Sequence, residues 1–142
     1  MKKIFLSATL GLDAIVAIAF GVLSGLRPVA IYGTIVNLEP LALHEGMVAA
    51  LTSLSLFYAL IGAVCLVAIW TPGRQRLALA GVMLLRHLLS GLKGWSEAGA
   101  PWQVGDPVPD LAIHAMFVAA YSVLLVLALR TPEPSPRPEM QS

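Results

Sequence analysis

Charge is what this chain has least of. Only 12% of its 142 residues are Asp, Glu, Lys or Arg, against about 25% in soluble domains. Hydrophobic residues make up 58%, and mean hydropathy is +0.82. A soluble fold of this size cannot hide that much apolar surface, so lipid must solvate part of it. The few charges nearly cancel, leaving +1. No basic field for nucleic acid results. Cysteine is almost missing as well. Cys65 alone excludes an intramolecular disulfide, CxxC redox chemistry and a cysteine-rich metal site. Deep in an apolar run, it reads as a small hydrophobe. There is no Gly-rich phosphate loop, no nucleophile motif and no redox-cofactor motif, so no cofactor is expected.

What the chain does have is four long apolar runs. About 20 helical residues cross ~30 Å of hydrocarbon, and lipid demands that each span satisfy its own backbone. The expected fold class is therefore all-α, an integral membrane four-helix bundle. Its helices are expected at about residues 4–26, 41–70, 77–95 and 110–129. Lys2 and Lys3 before an apolar run resemble a signal peptide, but Asp13 interrupts the run and no clean cleavage site follows; an uncleaved first helix is expected. Arg27-Pro28 ends that helix, Pro40 suits the first turn of the second, and Thr71-Pro72-Gly73 makes a tight turn. Residues 99–109 hold three prolines and two glycines and cannot be regular helix. Residues 131–142 form a Pro-rich tail, expected to be extended or disordered. The chain thus reads as one domain, 1–130, with that tail.

Lys and Arg set the orientation. Lys2, Lys3, Arg74, Arg76, Arg130 and Arg137 fall on one side, and Arg27 and Lys93 on the other. Six against two places both termini in the cytoplasm (N-in, C-in) of a bacterial-type inner membrane. Trp70, Trp95 and Trp102 lie near the span boundaries, as an aromatic belt would.

Two charges stand out inside the spans. Asp13 lies nine residues in from Ile4, and Arg86 nine in from Leu77. Both helices start at the same face, so both groups lie roughly 13 Å deep. Each alone would cost about 2.5–3.5 kcal/mol on insertion scales. Pairing offsets that cost, and an Asp13–Arg86 ion pair is expected. Such a pair can fix helix order alone or serve a ligand site.

Polar stripes on the other helices point to the same interior. In the second run His44, Ser55, Tyr58 and Gly62 share a narrow arc, with Ser55 expected near mid-depth. In the third, Arg86, Ser90, Lys93 and Glu97 share a stripe; in the fourth, Asp110, His114 and Tyr121 do. His87 is set about 100° from Arg86 and is expected to face a neighbouring helix. The candidate catalytic residues are Asp13, Arg86, His114 and Tyr121, and the candidate ligand-binding residues Ser55, Tyr58, His87, Ser90 and Asp110. The pocket they outline suits a hydrophobic or amphipathic small molecule. His44, Glu45, His87, Asp110 and His114 could supply nitrogen and oxygen ligands to a metal. Their spacing favours an Asp110–His114 contact at i, i+4 instead, so no metal is expected. Gly21-x-x-x-Gly25 is a close-packing motif and a candidate face for self-association.

The order of these features resembles the DoxX-like group of small four-helix membrane proteins. The first helix ends near Arg27-Pro28 and is followed by Ile31-Tyr32-Gly33. The second helix contains Tyr58-Ala-Leu-Ile-Gly62-Ala, and the third carries Arg86-His-Leu-Leu-Ser-Gly91. The resemblance covers most of residues 5–130. It implies the four-helix architecture and leaves the chemistry open. Asp13 and the three histidines are not part of that pattern.

Function is expected to centre on the buried polar site. The leading reading is a protein binding a hydrophobic or amphipathic small molecule in the bilayer; if it is an enzyme, acid–base chemistry of the isomerase, cyclase or epoxide-opening type fits. Asp13 would exchange the proton and Arg86 steady the charge. A proton-coupled transporter or channel subunit and an accessory subunit of a larger membrane complex are the alternatives. The lipid bilayer is the partner common to all three.

Overall fold

The computed structural model describes residues 2–35, 45–101, 103 and 106–130. They form helices α1 (Lys2–Leu26), α2 (Pro28–Tyr32), α3 (Glu45–Trp70), α4 (Gly73–Glu97) and α5 (Val108–Leu129). Four of these are long and apolar enough to cross a membrane: Ile4–Leu26, Gly46–Trp70, Gly73–Glu97 and Val108–Leu129. The chain is an all-helical, multi-pass membrane protein. The expected start of the second span at 41, together with Pro40 and His44, lies outside the described residues, as do Trp102 and the tail 131–142.

α2 was not expected. Pro28 stands at its first turn, where a missing N–H costs nothing. The residue that stops α1 therefore also starts a new short helix. α4 begins at Gly73, four residues earlier than expected. Gly73 has φ +51°, a left-handed conformation that glycine adopts at no steric cost. This lets α3 reverse into α4 through Thr71 and Pro72 alone.

Helix order in space follows from which faces are small. α1 packs most extensively on α3, and α4 on α5. α1 also touches α5, and α3 touches α4. Going around the bundle, the order is α3, α1, α5, α4. α1 and α4 are therefore diagonal, and side chains that join them must meet across the bundle axis. The α1–α3 contact is close because of glycine. A Cβ on Gly21 would stand 2.6 Å from the Ala59 nitrogen and 2.7 Å from the Ser55 carbonyl oxygen, and a Cβ on Gly62 would meet Ile18 and the Ala14 carbonyl. Gly21 is thus used inside the protomer, not on a free face for a second copy, as expected from the motif.

The core sits toward the end that holds the chain's first and last described residues. Leu6, Leu10, Ala14, Cys65, Ala68, Ala80, Met83, Phe117 and Tyr121 form one buried cluster. On α1 the buried positions Leu6, Leu10, Asp13, Ala17, Gly21 and Ser24 recur every three or four residues, the stripe of a helix with one protein-facing side. The opposite faces carry exposed Ile4, Phe5, Ile15, Leu56, Phe57, Leu60, Leu89 and Val123, which suits lipid contact.

Candidate functional site

Asp13 lies on the buried stripe of α1 and is 1% exposed. Both of its carboxylate oxygens are engaged. Arg86 Nη1 donates to Oδ1 at 3.0 Å. Oδ2 lies 3.0 Å from His87 Nε2 and accepts the Tyr121 hydroxyl at 2.9 Å. One carboxylate on α1 thus joins α4 twice and α5 once, across the diagonal of the bundle. A buried anion needs such a full set of partners, because an unpaired charge in a low-dielectric interior is far costlier than a paired one. Among the described residues no buried side-chain nitrogen or oxygen lacks a partner.

Each partner is held by its own packing. The Arg86 guanidinium lies over the Tyr58 ring, 5.9 Å from its centroid, a cation–π placement. Its side chain is 17% exposed. Tyr58 in turn meets Phe20 edge-on at 4.8 Å. The His87 ring stacks on Phe117 at 4.5 Å, fixing its plane so that Nε2 faces Asp13. The ring's other nitrogen, Nδ1, is 2.9 Å from His114 Nδ1. His114 Nε2 is 3.7 Å from Asp110 Oδ2, and the Asp110 side chain is 69% exposed. A continuous line of polar groups therefore runs from the surface at the start of α5 to the bundle axis.

No family model, curated protein or solved structure matches the chain. The site must therefore be read from its own geometry.

Between α4 and α5 a cleft of about 540 Å³ is lined by His87, Leu88, Gly91, Leu92, Trp95, Val108, Leu111, Ala112, His114, Ala115 and Val118. Among the described residues the two imidazoles are its only titratable lining groups. Gly91 makes the groove, since a Cβ there would stand 3.5 Å from the His114 Cβ. The volume falls within the range of small-molecule pockets, and its lining is of the usual kind, apolar with few polar groups.

The sequence-derived candidates fall into three sets. Asp13, Arg86, Tyr121, His87 and His114 form the connected cluster, with Tyr58 beneath Arg86 and Asp110 at the outer end. Ser55 does not join it. Its hydroxyl donates to the Leu51 carbonyl at 2.8 Å and meets the Tyr32 hydroxyl at 3.4 Å. Ser55 lies opposite Gly21 and Gly25, well above the level of Asp13, which faces the Gly62–Cys65 part of α3. Ser90 is half-buried and bonds to none of the cluster. His87 does meet neighbouring helices, bonding Asp13 of α1 and His114 of α5, and it lines the α4–α5 cleft as well. The 100° offset is real, but Arg86 is long enough to reach the axis from the side while the shorter His87 points straight at it. Among the described residues no group of three or more His, Cys, Asp or Glu side chains converges as a metal site would. Two structural groups escaped the sequence reading. Phe117 sets the plane of His87 by stacking. Tyr32, on the unexpected α2, bonds Ser55. Phe117 could have been found at i−4 from Tyr121 on the buried face of α5.

Proposed function

We propose that this chain is a multi-pass protein of a bacterial-type inner membrane, with both termini cytoplasmic. It binds a hydrophobic small molecule bearing one protic group in the α4–α5 cleft and acts on it by acid–base chemistry. The observation that carries this reading is the floor of the cleft. Among the described residues that line it, His87 and His114 are the only titratable ones, and they are bonded to each other and, through His87, to Asp13. An imidazole oriented by a buried carboxylate is a common arrangement for general acid–base work. His114 would give or take the proton at the ligand's polar group. His87 and Asp13 would orient it, Arg86 and Tyr121 would hold the Asp13 charge in place, and the apolar walls would take the hydrocarbon. A reaction that moves a proton without redox change, such as isomerisation, cyclisation or epoxide opening, fits this set. Arg86 and Gly91, two residues of the DoxX-like pattern, lie at the cluster and in the cleft, so membership of that group is part of the proposal.

The test is native mass spectrometry with metabolite extraction on the wild type and on Gly91→Leu, which fills the cleft without touching Asp13. A discrete bound molecule, lost in Gly91→Leu and retained in the distant Glu97→Gln, supports the reading. A wild type that carries only bulk lipid, with Gly91→Leu unchanged, overturns it.

A further inference from the structure

The Nδ1–Nδ1 contact between His87 and His114 places a constraint on protons. At 2.9 Å two imidazole nitrogens can be adjacent only when one carries a hydrogen and the other a lone pair. Their protonation is therefore linked. At the inner end, the Asp13 carboxylate accepts from His87, so His87 Nε2 carries a proton. With His87 neutral, its Nδ1 must accept, and His114 Nδ1–H must donate. The lone pair of His114 is then on Nε2, the atom facing Asp110. The two inner links each have a defined donor and acceptor; at the outer one, 3.7 Å long, two acceptors face each other until a proton arrives on Asp110 or on a water beside it.

We infer that Asp110, His114, His87 and Asp13 form a one-sided proton relay that charges and discharges Asp13 from the α5 N-terminal end of the bundle. The transfer balances atom by atom. A proton from the Asp110 carboxyl, or from water beside it, binds His114 Nε2. His114 passes its Nδ1 proton to His87 Nδ1, and His87 passes its Nε2 proton to Asp13 Oδ2. One proton has moved inward, both imidazoles have exchanged tautomers, and Asp13 is a neutral acid. The reverse sequence restores the start.

Among the described residues nothing continues the line in the opposite direction. Below Asp13 the interior is filled by Leu6, Leu10, Ala14, Ala68, Ala80 and Met83, with Cys65 as the one titratable group, and its thiol is a weak donor. The next polar pair toward that end is Arg76 and Ser7, 3.4 Å apart. The groups that face the relay from the packed helices are Arg86 of α4, Tyr121 of α5 and Cys65 of α3. Arg86 and Tyr121 remain on Asp13 in either state as donors and supply no proton of their own to the path. The relay therefore stores a proton and does not conduct one across. It shares His87 and His114 with the floor of the cleft, but its links lie within the bundle and neither measurement below needs a bound ligand, so its failure and that of the proposed ligand site are distinguishable.

Two measurements on the full chain in lipid nanodiscs test it. The first uses 15N-histidine labelling of the wild type and needs no variant: a through-hydrogen-bond coupling between the two Nδ1 nuclei is expected. Its absence would remove the central link. The second follows the carboxylic-acid C=O band by infrared difference spectroscopy after a pH jump, with the Asp13 band assigned by its loss in Asp13→Asn. His114→Phe should slow the appearance of that band by about a hundredfold, the lower end of what a positioned acid–base group contributes. Asp110→Asn, an exposed change that leaves the core intact, should slow it by a smaller factor. A wild-type rate in both variants would show that water reaches Asp13 by another route. Sustained proton flux through the wild type in vesicles, above that of empty vesicles, would overturn the one-sidedness.

Discussion

Asp13 accepts three hydrogen bonds, and the consequences of removing its charge follow from them. In Asp13→Asn the amide keeps the shape but puts a donor where one oxygen stood. If that NH2 faces Arg86, two donors oppose each other; if it faces His87 and Tyr121, the imidazole must take the tautomer whose Nε2 accepts, which reverses its bond to His114. Either way Arg86 loses its counter-charge. Breaking a buried pair on one side costs about 3–5 kcal/mol, and Asp13→Asn should lose stability of that order in a denaturant titration of the detergent-solubilised protein. Tyr121→Phe removes one donor of three and leaves the charge paired. Its loss should be about 1.5–3 kcal/mol, the worth of a hydrogen bond to a charged group. Asp13→Asn and Arg86→Gln share one contact, so the double variant should lose less than the sum of the singles, by about 0.5–3 kcal/mol. Strict additivity would show that the two side chains do not interact. The Asp13–Arg86 pair was legible in the sequence because depth along a helix is simple arithmetic and two spans started at the same face. That His87 meets a neighbouring helix was legible from its angular spacing, but that its partner there is Asp13 was not, because spacing gives the direction of Cβ and says nothing about how far a side chain reaches toward the axis.

At the scale of elements, glycine decides how near α1 comes to α3, and so where Asp13 lies. Gly21→Ala and Gly62→Ala would each bring a methyl group against backbone atoms of the partner helix. Backbone cannot step aside as a flexible side chain can, so the helices must separate, at about 1–3 kcal/mol for an overpacked contact. Gly81→Ala is the matched control. Nothing lies within 4 Å of its added Cβ, and alanine in place of a mid-helix glycine should stabilise by roughly 0.5–1 kcal/mol. Opposite signs for the two sets, read from unfolding midpoints, would tie α1–α3 spacing to stability. The same sign for all three would mean that helix propensity alone is at work. The sequence showed these glycines but not which face they serve. Gly21-x-x-x-Gly25 looks the same whether its partner is a neighbouring helix or a second copy, and only the chain path chooses α3. Ser55 was misplaced for a related reason. Its depth was counted from the start of α3 as though that were the membrane edge. The 26-residue helix extends past the level where α1 ends, so the part opposite Asp13 lies further along.

For the whole molecule, four apolar runs were enough to give the architecture, because lipid admits only helices and closed barrels, and runs of about 20 residues have the length of a spanning helix, not of a barrel strand. Orientation rests on a different argument. Lys and Arg are held back by the machinery and potential that move loops across the membrane, so the richer side stays inside. Here the 71–76 turn, with Arg74 and Arg76, shares its end with the start of α1, as the Arg76–Ser7 contact requires. The connection after α4 lies at the other end, beside Lys93 and Glu97, which neutralise each other at 2.8 Å. Reporter thiols can read this directly, since Cys65 is fully buried and should stay silent. A membrane-impermeant maleimide applied to intact cells should label Ala98→Cys, and should label Gln75→Cys only after permeabilisation. The reverse pattern would invert the molecule. The open side of the proton relay would then face the cytoplasm, and Asp13 would be charged from the inner pool while every contact within the bundle stayed as it is.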